Sequence, residues 1–246
     1  MQEKIKEWKE HVREVSANPG FVHHEWFVRW HLEIVERIAF ELCEKYPAAD
    51  KELVEVMVWL HDYGKALVGP TASSTFRAEQ SAPHSAPHSA VSPIRLHSGA
   101  PVSFQTAQLA VDPNVLGDEY AVTLSAGRAK LTEIGFTRDF VERAVSGVET
   151  MDKKMELDLR TAPLEVQIVA SADGCSHMVG PFLSLYWREH PELSTEELLA
   201  ANRAKLEKDW TRKITLPEAR AAFVVRHDFL VAQSGELHAA DGRLLG

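Results

Sequence analysis

The chain has 246 residues, and its 36 acidic and 27 basic side chains give a formal net charge of −9. This acidic balance argues against a nucleic-acid-binding protein, whose contact surface would be basic. Two cysteines are too few for a disulfide framework, and no apolar run reaches the roughly 18 residues of a membrane span. The first residues lack the apolar stretch of a secretion signal. The sequence therefore predicts a cytoplasmic globular protein that binds neither nucleic acid nor membrane.

The first 67 residues carry the pattern of helices. Apolar residues recur every three or four positions from 26 to 43, which is typical of a helix with one buried face. Pro47 breaks this pattern, and Asp50 is a predicted N-cap for a second helix that ends near Gly64. Because the connection is short, we expect the two helices to run antiparallel.

A segment of different composition follows. Ser, Ala, Pro and His dominate between Pro70 and Phe104, and Ser-Ala-Pro-His repeats in tandem at 81–84 and 85–88. Such a segment has little apolar surface to bury, and its prolines oppose regular structure. We predict a disordered or irregular insertion over about 69–115.

Helical patterns return in the second half of the chain. The predicted helices cover 124–134, 139–148, an apolar run from 164 through Asp173 toward Trp187, a helix with a capping box at 194–197, and a helix from 217 to 235. No convincing alternating strand pattern occurs, so the predicted fold is all-α. We expect a single compact multi-helix domain over 1–246 with a C-terminal helical extension over about 191–246. The aromatic residues of that extension offer a face for a homodimer.

Polar residues stand at buried positions of three predicted helices. His31 shares the apolar face of the first helix, and His61 follows the apolar face of the second, with Asp62 beside it. At roughly 1.5 Å per residue, the two histidines lie about one helical turn apart in an antiparallel pair, so they can meet. Asp173 ends the apolar run and also points inward. Because buried carboxylates need compensation, these four residues predict a divalent metal site, with donors that suit Mn, Fe, Co, Ni or Zn.

The same residues resemble a known family. His31, the adjacent pair His61-Asp62 in Leu60-His-Asp-Tyr-Gly-Lys65, and the distant Asp173 in Ala170-Ser-Ala-Asp-Gly174 resemble the pattern of the HD-domain superfamily of metal-dependent phosphohydrolases. The resemblance covers about residues 20–190, with the 69–115 segment as a departure from the compact family domain. It implies an HD-like helical bundle, one divalent metal ion (Mg being a further candidate) and hydrolysis of a phosphate ester or anhydride.

Further residues are candidates for roles around this metal. We expect Asp62 and Lys65 to act in catalysis, with Lys65, one turn past His61, binding the phosphate of a small phosphorylated substrate. His24, two turns before His31, and Arg128 are further predicted substrate contacts. His177, four residues after Asp173, is a candidate group behind the metal ligands.

Two alternatives of other classes stay open. A di-iron oxygenase of HD type would use extra histidines between the His-Asp pair and the last aspartate, where the sequence has histidines only in the insertion. Glu149 is the residue there that could replace one. A non-catalytic regulatory module that keeps the metal for structure is the second alternative. A second His-Asp pair, His227-Asp228, lacks distant partners in register, and we expect its side chains to lie at the surface or at a helix end.

Overall fold

The computed structural model describes residues 1–68 and 113–235, the first six of the second range by their backbone alone. These residues are mainly helical and contain no strand, so the all-α prediction is confirmed. The α-helices are α1 Gln2–Ser16, α2 Glu33–Lys45, α3 Lys51–Leu60, α4 Tyr63–Leu67, α5 Pro113–Glu133, α6 Arg138–Asp152, α7 Leu164–Ser176, α8 Phe182–Glu189, α9 Thr195–Lys208 and α10 Pro217–Gln233. Five-residue π-helical turns, Val28–Leu32 and Asp209–Lys213, precede α2 and follow α9.

Helix α3 lies at the centre of the core. Every residue from Leu53 to Leu60 is buried, and α1, α2, α6 and α7 pack around the helix. Burial of each large apolar side chain contributes about 1.5–3 kcal/mol, so this helix is a large source of hydrophobic stabilisation. His61 and Asp62 directly follow the C-terminal end of α3, at the edge of the core.

The first helix boundaries differ in part from the prediction. Asp50 is confirmed as an N-cap, since its carboxylate accepts a hydrogen bond from the backbone N–H of Leu53 at 3.1 Å. Helix α3 ends at Leu60 rather than near Gly64, and a separate short helix, α4, follows the His-Asp pair. The N–H of Gly64 donates to the Thr123 hydroxyl at 2.8 Å, so α4 turns away to pack on α5.

Two helix boundaries in the second half were predicted wrongly. Helix α5 begins at Pro113 and not at 124, so it starts within the last residues of the predicted insertion, while 69–112 lie outside the described residues. The apolar run through Asp173 does not continue to Trp187 as one helix. It ends at Ser176, and Gly180, at φ +63°, takes a left-handed conformation before α8 begins.

The C-terminal extension packs against helix α7. The predicted capping box at the start of α9 is confirmed, with the Ser194 hydroxyl accepting from the Glu197 N–H at 3.2 Å. The π-helical turn Asp209–Lys213 then contacts α7, the helix that carries Asp173. Residues 236–246 of the predicted extension lie outside the described range.

Across the described ranges, no helix combines the length and the apolarity that crossing a membrane requires.

Candidate metal centre

The four predicted metal ligands come together at one point. His31 lies in the π-helical turn before α2, His61 and Asp62 follow α3, and Asp173 lies on α7. Nε2 of His31 lies 3.2 Å from Nε2 of His61, 3.3 Å from Oδ2 of Asp62 and 3.8 Å from Oδ1 of Asp173. Nε2 of His61 lies 3.5 Å from the same Asp62 oxygen and 3.8 Å from the same Asp173 oxygen. The predicted antiparallel meeting of the two histidines is thus confirmed.

These separations suit ligands of a single ion. Donor atoms about 2.0–2.2 Å from a shared cation lie roughly 2.8–3.1 Å from their neighbours in octahedral geometry and roughly 3.3–3.6 Å from one another in tetrahedral geometry. The five observed distances, 3.2–3.8 Å, overlap this range and exceed its upper end by about 0.2 Å at most. The residues present therefore fit a divalent cation.

Hydrogen bonds at the other ring nitrogens orient both imidazoles. Nδ1 of His61 lies 2.7 Å from the carbonyl oxygen of Val58, which can only accept, so Nδ1 carries the proton. The Ser176 hydroxyl donates to the carbonyl of Asp173 at 2.8 Å, so its oxygen accepts from Nδ1 of His31 at 3.3 Å. In neutral rings both Nε2 atoms then carry lone pairs, and they face each other beside two carboxylates. A bound cation would accept the lone pairs of the two Nε2 atoms and relieve the repulsion between these acceptor groups.

The carboxylates of the cluster are held in their ionised forms. Burial alone would raise the pKa of Asp62, but the Lys65 ammonium lowers it well below its usual range. Burial likewise opposes ionisation of Asp173, while the Lys213 ammonium lowers its pKa well below its usual range. Burial lowers the pKa of His31, which keeps its ring neutral. Anionic oxygens and neutral imidazoles are the protonation states in which these groups bind metals.

A second layer of charged groups lies behind Asp173. Nζ of Lys213 lies 2.5 Å from Oδ2 of Asp173, the oxygen that is turned away from the histidines. Asp209, which is fully buried, lies 3.5 Å from both Lys213 and Lys205 and accepts from Nδ1 of His177 at 2.7 Å. The prediction for His177 identified a group behind the ligands, and the structure places it there, with Nε2 3.3 Å from Oδ1 of Asp173.

Sequence reasoning missed Asp209 and Lys213. A signal for them was present, since Lys205, Asp209 and Lys213 recur at intervals of four and so share one helical face. Which helix this face would contact could not be read from that spacing.

His177 also belongs to a second group of donor atoms. His31, Asp173 and His177, all buried, form a cluster that could hold a metal ion, as do His31, His61 and Asp62. The His31 and His177 rings are parallel within 4° at a centroid distance of 5.4 Å. Burial and Lys205 lower the pKa of His177 to about 3, so its ring is neutral. The two clusters share His31 and are adjacent, so together they form one continuous candidate metal site.

Lys65 directly contacts Asp62, one of the four predicted metal ligands. Its ammonium lies 2.7 Å from Oδ2 of Asp62, and its side chain is 36% exposed. Burial opposes the charge, but Asp62 and Glu119 raise the pKa of Lys65 above its usual value. The ammonium is therefore permanently charged at neutral pH beside the predicted metal position.

Other predicted residues have their observed contacts elsewhere. His24 lies in the turn before the helix, not on the helix of His31 as predicted, and its Nδ1 contacts the carbonyl oxygen of Phe21 at 2.8 Å. The Arg128 guanidinium forms two hydrogen bonds with Glu142, at 2.9 and 3.1 Å, on the exposed faces of α5 and α6. The structure brings neither residue into the cluster, and their roles as substrate contacts stay predictions. Glu149, the candidate extra iron ligand, contacts Lys153 at 2.8 Å.

The second His-Asp pair forms no such cluster. His227 contacts its neighbour Asp228 at 3.0 Å and stacks on the ring of Trp210 at a centroid distance of 4.1 Å. The Asp228 side chain is 69% exposed.

A small cleft opens onto the predicted metal ligands. It has a volume of about 70 Å³, and its polar lining consists of His61, Asp62, Tyr120, Asp152, Lys154, Asp173 and Lys213. This volume admits a few water molecules or a compact group such as a phosphoryl group.

Comparison of the chain with protein-family models, with curated proteins and with solved structures found no match.

Proposed function

We propose that this protein is a metal-dependent phosphohydrolase that cleaves a phosphate ester or anhydride of a small molecule, with nucleotides among the candidate substrates. The observation that carries the proposal is the convergence of His31, His61, Asp62 and Asp173: the two Nε2 atoms lie 3.2 Å apart and 3.3–3.8 Å from the carboxylate oxygens, and three of the four residues line a cleft. The resemblance to the HD-domain superfamily rests on these same four residues.

The four residues would hold one divalent cation. When bound, such a cation supplies Lewis-acid chemistry, because it lowers the pKa of water and neutralises negative charge at a phosphoryl group. The protein's own contribution is to fix the donors, through the Val58 carbonyl behind His61 and the Ser176 hydroxyl behind His31.

A bound divalent cation together with the Lys65 ammonium would favour an anionic substrate. The ammonium of Lys65 contacts Asp62, while Lys154 and Lys213 line the cleft and contact the carboxylates of Asp152 and Asp173. Lys213 is committed to Asp173, whereas Lys65, at 36% exposed, can also reach a non-bridging phosphate oxygen. In this proposal Lys65 binds and orients the phosphoryl group, and Asp62 fixes the lysine in place.

The two alternatives make different predictions about the purified protein. A di-iron oxygenase would contain two irons per chain and consume dioxygen. A regulatory module would bind metal and show no turnover on phosphorylated compounds. The proposal expects about one divalent ion per chain and release of inorganic phosphate.

The decisive experiment is a substrate screen. Nucleoside mono-, di- and triphosphates and generic aryl phosphates are incubated with the full chain in the presence of Mn, Fe, Co, Ni, Zn or Mg. Released phosphate is measured for the wild type, for Asp62→Ala and for the matched control Asp228→Ala. We expect turnover in the wild type and the control and loss by at least about 100-fold in Asp62→Ala.

Equal phosphate release by all three proteins would show that the activity comes from elsewhere. No release by the metal-replete wild type, with dioxygen uptake in its place, would favour the oxygenase. Metal content without either activity would favour the regulatory module.

A further inference from the structure

A second, larger cavity lies away from the metal cleft. Its volume is about 540 Å³, and its lining includes Asp158, Arg160, Arg212, Thr215 and Arg220. This volume falls within the range of sites for small molecules and cofactors. No residue of this cavity belongs to the metal ligands.

The lining carries an excess of positive charge. Three arginines face two carboxylates, Glu156 and Asp158. Asp158 is already neutralised, because its two oxygens contact the Arg160 guanidinium at 2.7–3.0 Å. The charges of Arg212 and Arg220 are thus opposed within the lining only by Glu156.

Arg212 and Arg220 are the lining groups that suit a ligand. The Arg220 guanidinium is held over the Trp210 ring at 5.0 Å and donates to the Trp210 carbonyl at 2.6 Å, so its position is fixed while donors remain. Arg212 lies on the same lining, two residues after Trp210. Two guanidinium groups in one cavity lining are a donor arrangement that suits an oxyanion.

We infer that this cavity is a binding site for a small phosphorylated anion, separate from the metal centre. The two sites lie on different sides of the π-helical turn Asp209–Lys213. Arg212 lines the cavity, while the next residue, Lys213, contacts Asp173 at 2.5 Å. Phosphate suits the lining because it offers several acceptor oxygens and a double charge to the planar arginine donors. This site goes beyond the proposed hydrolytic function and does not depend on it.

The cavity is also tied to the helix that carries Asp173. The backbone N–H of Thr215 donates to the Ser171 hydroxyl at 3.1 Å, and that hydroxyl lies 3.4 Å from the carbonyl of Lys213. Ser171 is two residues before Asp173 on α7. A ligand in the cavity would therefore contact the segment that positions Lys213 on the metal ligand.

Binding can be tested without turnover. ADP, pyrophosphate and adenosine are titrated calorimetrically into the full chain in the presence of EDTA, which removes metal from the other site. We expect ADP and pyrophosphate to bind and adenosine not to bind. Arg212→Gln should weaken binding at least about tenfold, the effect of losing one charged contact. Arg37→Gln, which removes an equal charge from the exposed face of α2, should bind as the wild type does.

Further variants separate the two sites. Arg220→Gln should also weaken ADP binding, while Lys65→Ala at the predicted metal site should leave it unchanged. Circular dichroism checks that each variant is folded. The inference is overturned if millimolar ADP and pyrophosphate do not bind the wild type, or if Arg212→Gln binds them equally well. Loss of binding in Lys65→Ala alone would assign the phosphate to the metal cleft and would also refute a separate site.

Discussion

Nδ1 of His177 donates to Oδ2 of Asp209 at 2.7 Å, in the interior of the protein behind the predicted metal ligand Asp173. Asp209 is fully buried, and its charge is compensated by Lys205 and Lys213. Burial would raise the pKa of Asp209, yet these lysines and His177 lower it below its usual range. The Asp209 carboxylate therefore interacts with the ammonium groups of both lysines and orients the His177 imidazole.

Replacement of this carboxylate should be strongly destabilising. Asp209→Asn keeps the shape but removes the buried counter-charge of Lys205 and leaves Lys213 with Asp173 alone. Breaking a buried ion pair costs about 3–5 kcal/mol, and we expect a loss in that range in chemical denaturation. Asp228→Asn, at an exposed position, should change the free energy of unfolding by less than about 0.5 kcal/mol. Similar stability of the two variants would show that Asp209 does not balance the lysines.

Metal content should depend on His61. His61→Ala removes a donor whose Nε2 lies 3.2 Å from that of His31, so we expect the bound divalent ion to be lost. Because the ion stabilises only the folded state, adding a chelator should lower the melting temperature of the wild type and leave that of His61→Ala unchanged. Elemental analysis and thermal unfolding measure the two effects.

His227→Ala is the matched control for this prediction. His227 stacks on Trp210 and forms no part of the cluster, so the variant should keep its metal. Equal metal content in wild type, His61→Ala and His227→Ala would disprove the predicted ligand set.

Residues whose contacts are local could be predicted from the sequence. The N-cap Asp50 and the capping box at Ser194 bond within three residues, and the pairing of His31 with His61 follows from helical spacing across one short connection. The predicted place of His24 failed because a turn, not a helix, precedes Val28. Helical periodicity alone does not show where such a turn gives way to the helix.

Lys213 shows what the sequence could not provide. Its contact with Asp173 joins positions 40 residues apart, and it depends on how the π-helical turn packs on α7. No local pattern specifies that packing. The residues behind a metal ligand are therefore harder to predict than the ligand itself, whose burial and chemistry appear in its own helix.

Lys65 should affect turnover more than metal binding. Lys65→Ala removes the ammonium 2.7 Å from Asp62 but leaves all four donors, so we expect metal content to be retained. If the lysine binds the phosphoryl group, kcat/KM should fall about 10- to 100-fold, which corresponds to a loss of about 1.4–2.7 kcal/mol in transition-state stabilisation. The control is Lys130→Ala, which breaks a pair with the same three-residue spacing at 2.8 Å. Equal kinetics of the two variants would exclude Lys65 from catalysis.

A separate ion-pair network should stabilise the fold in a pH-dependent way. Lys9 of α1 contacts Glu36 of α2 at 2.5 Å and Glu55 of α3 at 2.9 Å, and its side chain is 16% exposed. Burial would lower the pKa of Lys9, but the two glutamates raise it above 10.5. Lys9→Met leaves two carboxylates without a partner, so we expect a loss of about 2 kcal/mol, between the values for exposed and buried pairs.

The sign of the pH effect follows from the raised pKa. The stabilisation by Lys9 is fully present below pH 10.5 and is lost as the pH rises through the higher folded-state value. The difference in unfolding free energy between wild type and Lys9→Met should therefore be constant from pH 7 to 10 and shrink above pH 10.5. A difference that stays constant through pH 12 would contradict this assignment.

Gly64 should tolerate no side chain, because α4 and α5 approach each other most closely there. A Cβ at Gly64 would overlap the backbone carbonyl of Glu119 and the hydroxyl of Thr123. Since a carbonyl within a helix cannot move aside as a side-chain end can, Gly64→Ala should force α4 away from α5, at a cost of about 1–3 kcal/mol. Gly64 lies between Asp62 and Lys65, so the same displacement should also weaken metal binding. Gly20→Ala is the control, because the atoms near its Cβ belong to the side chain of Asn18. We expect a lower melting temperature and weaker metal affinity in Gly64→Ala alone, and wild-type values for both quantities would show that α4 can shift without disturbing the cluster.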